Sequence, residues 1–345
     1  MATLIGELRV YPTQRTNLIS RMPATLRMLG ALAVITVAPP AVSAQRGRAP
    51  APLDLADPVP RAAEFVNIER GGNIGKIKRV GIINFTVEFA LAREVVHVSV
   101  RSSSTTTTTT TTRVKMQIPQ PDPAVLQSIV DGLYADVQAD LRGMGMELIP
   151  YEELKATKPY EKLDDAMHAS PWATSMKDVH SVLLAPTGMS LYLDNVARAD
   201  LRKSLGFIFG TNTRLHEIRM VNELRNDAHL LSVNMVVDFK KMPETWRGND
   251  VEDALHVVPE GTIYRFVSKT QPMLAVVELK APVVSGATLW SQMAEGETSS
   301  ARAVNTRRST SETVGVFDTN AYVNETRAMF TAVRRMFTAQ MTAGR

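Results

Sequence analysis

Residues 80–89 read Val-Gly-Ile-Ile-Asn-Phe-Thr-Val-Glu-Phe, and this stretch decides the fold of the chain. Its first four residues carry no charged or polar side chain, whereas apolar and polar residues alternate from Asn84 onward. Alternation with a period of two is the pattern of a β-strand, and a strand that is apolar on both faces is typical of a sheet interior. The stretch therefore predicts a central strand.

A helix is predicted over residues 123–143. Asp122 is suited to the N-cap, and Pro123 suits the first helical position. Apolar residues recur at helical spacing, namely Leu126, Ile129, Val130, Leu133, Val137 and Leu141. Gly143 and Gly145 end the pattern. Because such a stripe needs an apolar surface to cover it, we expect this helix to pack beside the central strand.

Between that strand and that helix lies a run of eight threonines, Thr105–Thr112. Partly alternating residues from Glu94 precede the run, and residues to Ile118 follow it. Threonine is β-branched and favours strands, while its hydroxyl keeps both faces polar. The segment predicts a projecting Thr-rich β-hairpin arm. The alternative is a low-complexity loop, because a threonine run carries no register information.

The rest of the chain predicts an alternation of strands and helices. Further strands are expected at 146–150, 182–185, 229–239, 261–267 and 273–279, and further helices at 151–160, 196–205, 214–224 and 320–341. The methionines of the last helix are expected in the core rather than on a partner surface, and this helix is expected to dock on the sheet. Residues 295–311, rich in Ser, Thr and Arg, predict a loop. The fold class is therefore α+β, a mixed sheet flanked by helices with the Thr-rich arm projecting.

Residues 1–44 predict an upstream extension and a signal peptide. Arg21 and Arg27 precede an apolar run at 29–37, and Val42-Ser43-Ala44 supplies the small residues of a cleavage site. The apolar run is too short to span a bilayer as a permanent helix. We expect cleavage after Ala44 and a periplasmic or extracellular location. Residues 45–75, rich in Pro, Ala and Arg at their start, predict a linker, and 76–345 a single α+β domain with a candidate sub-boundary near 170–180.

Composition excludes several classes of protein. The chain has 39 basic and 35 acidic residues, and residues 45–345 keep 35 and 34 of them, so a nucleic-acid partner loses its electrostatic support. The absence of cysteine excludes disulfides, thiol catalysis and the acylated cysteine of a lipoprotein. No stretch after the leader has the roughly 20 apolar residues of a membrane helix, so no integral membrane segment is expected.

No catalytic residue, cofactor-binding residue or metal ligand is predicted. The loop Gly71–Gly75 precedes a strand, whereas a phosphate-binding loop follows a strand and opens a helix. His216-Glu217 begins like a zinc-protease helix, but Met220 stands where the second histidine would have to lie. The other histidines show no local paired spacing: His97, His168, His180, His229 and His256.

Carboxylates are the remaining candidates for a site. Asp131, Asp136 and Asp140 lie on the polar side of the 123–143 helix, and the pairs Glu152-Glu153 and Asp164-Asp165 flank the next loops. None has the alternating spacing of a calcium loop, so a solvated helix face is favoured over acid–base chemistry. The sequence also lacks the Gly-x-Ser-x-Gly elbow of a serine hydrolase.

Three segments carry a resemblance to a known family. They are the Lys78–Phe85 strand, the return strand Gly145–Leu148 after a helix that contains Asp140-Leu141, and the strand at 227–239 that an Asp-Ala pair opens. This order resembles the periplasmic α/β domain shared by the TolB N-terminal domain and the curli-secretion protein CsgG. The helix segment Tyr134-Ala135-Asp136 is also similar to that of other exported bacterial proteins. Two features of a CsgG-like pore are missing from the sequence, the lipid-anchor cysteine and a pair of lipid-facing hairpins.

The resemblance implies a role in envelope assembly or transport rather than catalysis. The first hypothesis is thus an exported, non-enzymatic envelope module that self-associates or binds another envelope protein. A second hypothesis is a periplasmic hydrolase whose carboxylates and histidines meet only in three dimensions. A third is a subunit of an extracellular fibre, in which the Thr-rich arm adds a strand to its neighbour.

Overall fold

The structure, a computed structural model, describes residues 53–119, 121–163, 167–176, 179–192, 210–224, 227–239, 255–287, 289–295, 299–303 and 306–345. The signal peptide, its cleavage site and the helix expected at 196–205 lie outside these residues. The predicted α+β class is confirmed: a large mixed sheet has helices on both of its faces. The described residues belong to one compact unit.

Sixteen strands are formed by the described residues. They are β1 (Val66–Glu69), β2 (Arg79–Ser102), β3 (Thr107–Gln117), β4 (Glu147–Ile149), β5 (Met167–His168), β6 (Trp172–Met176), β7 (Val179–Leu184), β8 (Leu191–Tyr192), β9 (Ala228–Phe239), β10 (Leu255–Val257), β11 (Ile263–Val267), β12 (Ala275–Leu279), β13 (Val283–Val284), β14 (Trp290–Glu295), β15 (Ser299–Ala303) and β16 (Thr306–Phe317).

The α-helices accompany these strands. They are α1 (Ala62–Phe65), α2 (Pro123–Gly143), α3 (Tyr151–Lys155), α4 (Lys158–Glu161), α5 (Gly210–Leu224) and α6 (Thr319–Ala343). Short 3-10 helices cover Val59–Arg61 and Gly71–Lys76.

The sheet is built around β2, which is 24 residues long. β2 runs parallel to β9 over Arg79–Phe89, and on its other side it pairs with β4 and then with β7. Beyond β9 the sheet continues through β11 and β12 to β1, each antiparallel to its neighbour. The predicted central strand is therefore confirmed, and it extends 13 residues beyond the predicted end at Phe89.

The first face of the sheet is covered by α2 and α6. The Asp122 side chain accepts a hydrogen bond from the Ala124 backbone N–H at 2.9 Å, which confirms the predicted cap. Phe85 packs edge to face against Tyr134 of α2 with 5.3 Å between the ring centroids, and Phe89 packs in the same way against Phe330 of α6 with 6.0 Å between the centroids. Every apolar residue of the predicted α2 stripe is buried, and so are the three methionines of α6. The expected packing of both helices is confirmed.

The second face is covered near its start by α3, α4 and α5, which enclose a smaller core around Ile83, Leu230 and Val267. Gly81 allows α3 to approach closely, because a Cβ atom there would lie 2.6 Å from Leu154 Cδ2. Further along the same strands, this face carries buried polar residues instead of apolar ones. The two faces thus differ in chemistry.

Residues 53–75 differ from the predicted linker. β1 pairs antiparallel with β12 from Val66 opposite Leu279, and the side chains of Phe65 and Ile74 are buried in the main core. The Pro- and Ala-rich composition did not predict β1, because this strand is only four residues long and it pairs with a strand more than 200 residues later. Residues 45–52 of the predicted linker lie outside the described residues.

Residues 299–303 and 306–311 belong to the predicted loop 295–311 but differ from the prediction as well. They lie in β15 and β16, which pair with each other from Ser299 opposite Thr310. Ser, Thr and Arg appeared loop-forming because this stretch has no apolar alternation, but β16 obtains its backbone partners from β3. The region 170–180 holds the β6–β7 hairpin within the main sheet.

Candidate interaction surface

Four strands continue past the point where helices cover the sheet. β2 pairs with β3 from Ala92 opposite Gln117 to Ser102 opposite Thr107. β16 runs parallel to β3, from Thr306 opposite Thr107 to Val316 opposite Gln117, and β15 lies on the outer side of β16. We call residues 94–117, 299–303 and 306–317 the strand extension, and at its base Val114, Met116 and Phe317 are still buried in the main core. At about 3.4 Å per residue, its β2 part is about 30 Å long.

The threonine run lies inside this extension. Thr107–Thr112 are half-buried because β2 borders them on one side and β16 on the other. Ser103 closes the turn, accepting a bond from the Thr106 N–H at 3.1 Å and donating its own backbone N–H to the Thr106 carbonyl at 2.8 Å. Segment 94–117 thus forms two antiparallel strands, but they do not stand alone as the predicted arm would. A second antiparallel pair, β15 and β16, was not predicted from the sequence and completes the sheet.

Both outer edges of the extension are open among the described residues. On the side of β2 away from β3, the last paired residue is Arg93, opposite Val179 of β7, so no described strand borders Glu94–Ser102 there. Within the part of the chain that the structure describes, β15 pairs only with β16. An open edge presents a row of backbone N–H and C=O groups that a further strand can satisfy.

The open edge of β2 also carries exposed apolar side chains. Val96, Val98 and Val100 are 48%, 55% and 60% exposed, the highest values among the large apolar residues described. They alternate along the strand, so all three lie on one face. Exposed valines at a strand edge are what a partner strand can cover by cross-strand contact. The partial alternation of this segment is visible in the sequence, but the exposed row of valines was not predicted from it.

A buried ion pair anchors β2 where the extension begins. The Arg93 guanidinium donates from Nε to Asp238 Oδ1 at 3.2 Å and makes a second bond from Nη2 to Oδ2, with both side chains at most 5% exposed. Asp238 also accepts the Phe239 backbone N–H at 2.7 Å. The Tyr322 hydroxyl of α6 donates to the Ala90 carbonyl at 3.1 Å, and burial raises the pKa of Tyr322, so it stays a neutral donor.

A buried polar network fixes the register of β2 against β9. The Asn84 side-chain amide donates to Ser232 Oγ at 3.1 Å and lies 3.2 Å from Asn234 Oδ1, and its own oxygen accepts from the Thr86 hydroxyl at 2.8 Å. The register shifts between Ile82 and Asn84, directly before this network. A one-residue slip would leave these polar groups unsatisfied, so the network holds the strand in one position.

The predicted carboxylate face is only partly solvated. Asp131 accepts from the Thr187 backbone N–H at 2.7 Å and from its hydroxyl at 2.8 Å. Asp140 accepts from Arg334 at 2.5 Å and from Thr338 at 2.8 Å, which joins α2 to α6. Asp136 is more exposed and lies 3.5 Å from the same arginine. These contacts were missed because their partners are distant in sequence.

The residues that begin like a zinc-protease helix lie on α5. Glu217 is fully buried and accepts two bonds from Arg265, at 2.7 and 2.8 Å, and Arg265 also donates to the Pro272 carbonyl. The pair therefore joins α5 to β11. Across the described residues, no three His, Asp or Glu side chains are grouped to hold a metal ion.

An apolar cavity of about 360 Å³ lies between the start of α2 and the β6–β7 hairpin. Its walls include Leu126, Pro123 and Leu184, with His180 at the polar side. It adjoins the base of the strand extension through Leu91. The cavity thus lies beside the candidate surface and not within it.

No helix of the described residues is long and apolar enough to cross a bilayer. Comparisons with protein families, with curated proteins and with solved structures found no match for this chain. The resemblance to the TolB and CsgG domain therefore stays a prediction. The strand extension is the structural feature that bears on function.

Proposed function

We propose that this protein is an exported, non-enzymatic assembly module of the bacterial envelope that self-associates through its strand extension. The observation that carries the proposal is the open edge of β2, a nine-residue strand edge with Val96, Val98 and Val100 exposed. Export rests on the predicted leader, and the assembly role is the one that the TolB and CsgG resemblance implies.

An edge of this kind favours pairing with another strand. Proteins that avoid such pairing shorten the edge, cover it, or place Lys, Pro or bulges on it. Glu94–Ser102 contains neither Lys nor Pro, its two charged residues Glu94 and Arg101 lie near its ends and not at its centre, and its pairing with β3 continues without a register shift. A partner strand would satisfy the backbone groups and cover the valines together.

The extension is held in place before any partner arrives. Arg93, Asp238 and Tyr322 anchor its base, and β16 supports the threonine strand along its whole length. A surface that is already ordered loses little conformational entropy on binding, so more of the contact energy appears as affinity.

The pairing of buried charged side chains with each other supports a non-enzymatic role. Glu217 is neutralised by Arg265, and Asp238 by Arg93, each in a two-bond pair inside the protein. Both pairs join elements of the fold, and neither carboxylate is aimed into the apolar cavity. These groups act as structural links.

A fibre subunit is the second candidate, because the two open edges lie on opposite sides of the extension. When the β2 edge of one copy pairs with the β15 edge of the next, the first and the last copy of the row each keep one open edge. Such a contact either closes into a ring or continues as a filament. Electron microscopy of the assembled protein distinguishes finite particles from open filaments.

The test is sedimentation velocity of the purified protein over a hundredfold range of concentration. Val98→Lys places a charge at the centre of the edge and is expected to weaken self-association by about tenfold or more, while the thermal midpoint stays unchanged. Leu215→Lys is the matched control, since Leu215 is 44% exposed on α5, away from the extension. A wild-type monomer at every concentration, or equal effects of both variants, would contradict the proposal.

A further inference from the structure

The far end of the strand extension carries positive charge alone. Residues 97–112 and 299–311 contain four arginines and no acidic residue. The rest of 45–345 has 31 basic and 34 acidic residues, so the near-neutral total conceals a separation of charge. Arg101, Arg307 and Arg308 are exposed.

The fold brings these arginines to one end. Thr306 pairs with Thr107, so the turn after β2 and the start of β16 lie side by side. Arg101 and Arg307 flank Thr108 in one cross-strand row, with backbones about 10 Å apart. Arg308 lies in the next row, which places it on the opposite face, together with Val100. We call this end of the extension the cationic tip.

The distribution suits a broad anionic surface. The charges lie on both faces of the tip and do not converge on one point, so a single small anion would meet only one or two of them. Guanidinium groups bind phosphate oxygens in a bidentate manner, and the backbones of Arg101 and Arg307 lie about 10 Å apart, so their side chains are placed to contact separate phosphate groups. No Phe, Tyr or Trp lies within 90–118, so the stacking platform that these rings form in single-stranded nucleic-acid sites is missing from this segment.

We propose that the cationic tip docks on a membrane surface that contains anionic lipid. Arg101, Arg307 and Arg308, all exposed, contact the headgroup phosphates. This proposal concerns a lipid partner and does not depend on self-association of the chain. Each arginine near such a surface is expected to strengthen binding roughly fivefold at low salt.

The experiment is co-sedimentation of the full chain with vesicles of phosphatidylcholine alone or of phosphatidylcholine and phosphatidylglycerol at three to one. The triple variant Arg101→Gln, Arg307→Gln, Arg308→Gln is expected to lose about a hundredfold in affinity for the anionic vesicles. The matched control, Arg214→Gln, Arg219→Gln, Arg327→Gln, removes the same charge from exposed positions on α5 and α6 and is expected to bind within about twofold of the wild type.

Binding is also expected to fall steeply between 50 mM and 500 mM salt, because screening shortens the reach of exposed charges. Sedimentation velocity of the triple variant without vesicles shows whether assembly is intact, so lost lipid binding is not confused with lost self-association. Equal binding to neutral vesicles, equal losses in both triple variants, or binding to soluble dextran sulfate without binding to vesicles would overturn the proposal.

Discussion

The two halves of β2 are one continuous strand in opposite surroundings. Between Arg79 and Arg93 it pairs with β9 on one side and with β4 and β7 on the other, and Phe85 and Phe89 are fully buried. Beyond Arg93 only β3 borders it among the described residues, and Val96, Val98 and Val100 are exposed. The backbone is extended in both halves, so the difference comes from what covers the strand. Phe85 and Phe89 in the first half stabilise the fold by burial, whereas Val96, Val98 and Val100 in the second half are exposed.

The largest effect is expected from Arg93→Ala, at the boundary between the halves. The change leaves the Asp238 carboxylate buried without its guanidinium, and the free energy of unfolding should fall by about 3–5 kcal/mol in urea denaturation. Arg113→Ala breaks the exposed pair with Glu94 on the extension and should cost at most about 1 kcal/mol. Similar losses from both variants would contradict the distinction between the halves.

Replacing both partners of the buried pair sharpens this result. Arg93→Met with Asp238→Leu removes both charges together, so stability should recover much of the loss seen for Arg93→Ala. If the stability of the double variant does not recover, the hydrogen-bond geometry of the Arg93–Asp238 pair stabilises the fold in a way that apolar side chains do not replace.

Leu133→Ala tests the covered half from the side of α2. Leu133 is buried in the main core, and its truncation should lower the free energy of unfolding by about 2–5 kcal/mol. Leu215→Ala, at an exposed position on α5, should change it by less than about 0.5 kcal/mol. Thermal or urea unfolding measures both, and an unchanged midpoint for Leu133→Ala would refute the packing of α2.

Asp122→Ala removes the cap of the same helix and is expected to cost about 1 kcal/mol. Asp122→Ser keeps an acceptor for the Ala124 N–H, so it should retain most of that stability. Equal losses from the two substitutions in urea denaturation would mean that the cap hydrogen bond is not the cause.

The smallest effect on stability is expected from Val98→Ala on the uncovered half. Val98 is 55% exposed, so the free energy of unfolding of the dilute protein should change by less than about 0.5 kcal/mol. Self-association should nevertheless weaken in sedimentation velocity, because the partner loses a cross-strand contact. A large loss of stability in dilute solution would show that the valine row is covered within a single copy.

Much of the covered half was predictable from local patterns. The alternation in 80–89 and the stripes of α2 and α6 gave the right elements, because the period of a strand or an amphipathic helix is written in consecutive residues. No catalytic residue was predicted. Only one part of the candidate surface was predicted from the sequence. Segment 94–118 was predicted to form strands, but β15 and the first half of β16 were predicted to be a loop, because Ser, Thr and Arg show no apolar period there.

By itself, the sequence determined that β2 is a central strand, that α2 begins at the Asp122 cap and that α6 packs with its methionines inward, because each depends on periodicity and capping within one element. Only the tertiary structure decided which strand borders the threonines. A run of identical β-branched residues pairs equally well in many registers, so the parallel neighbour β16, about 200 residues later, sets it. That pairing places the threonines inside the sheet, leaves the valine edge of β2 open and gathers the arginines at one tip.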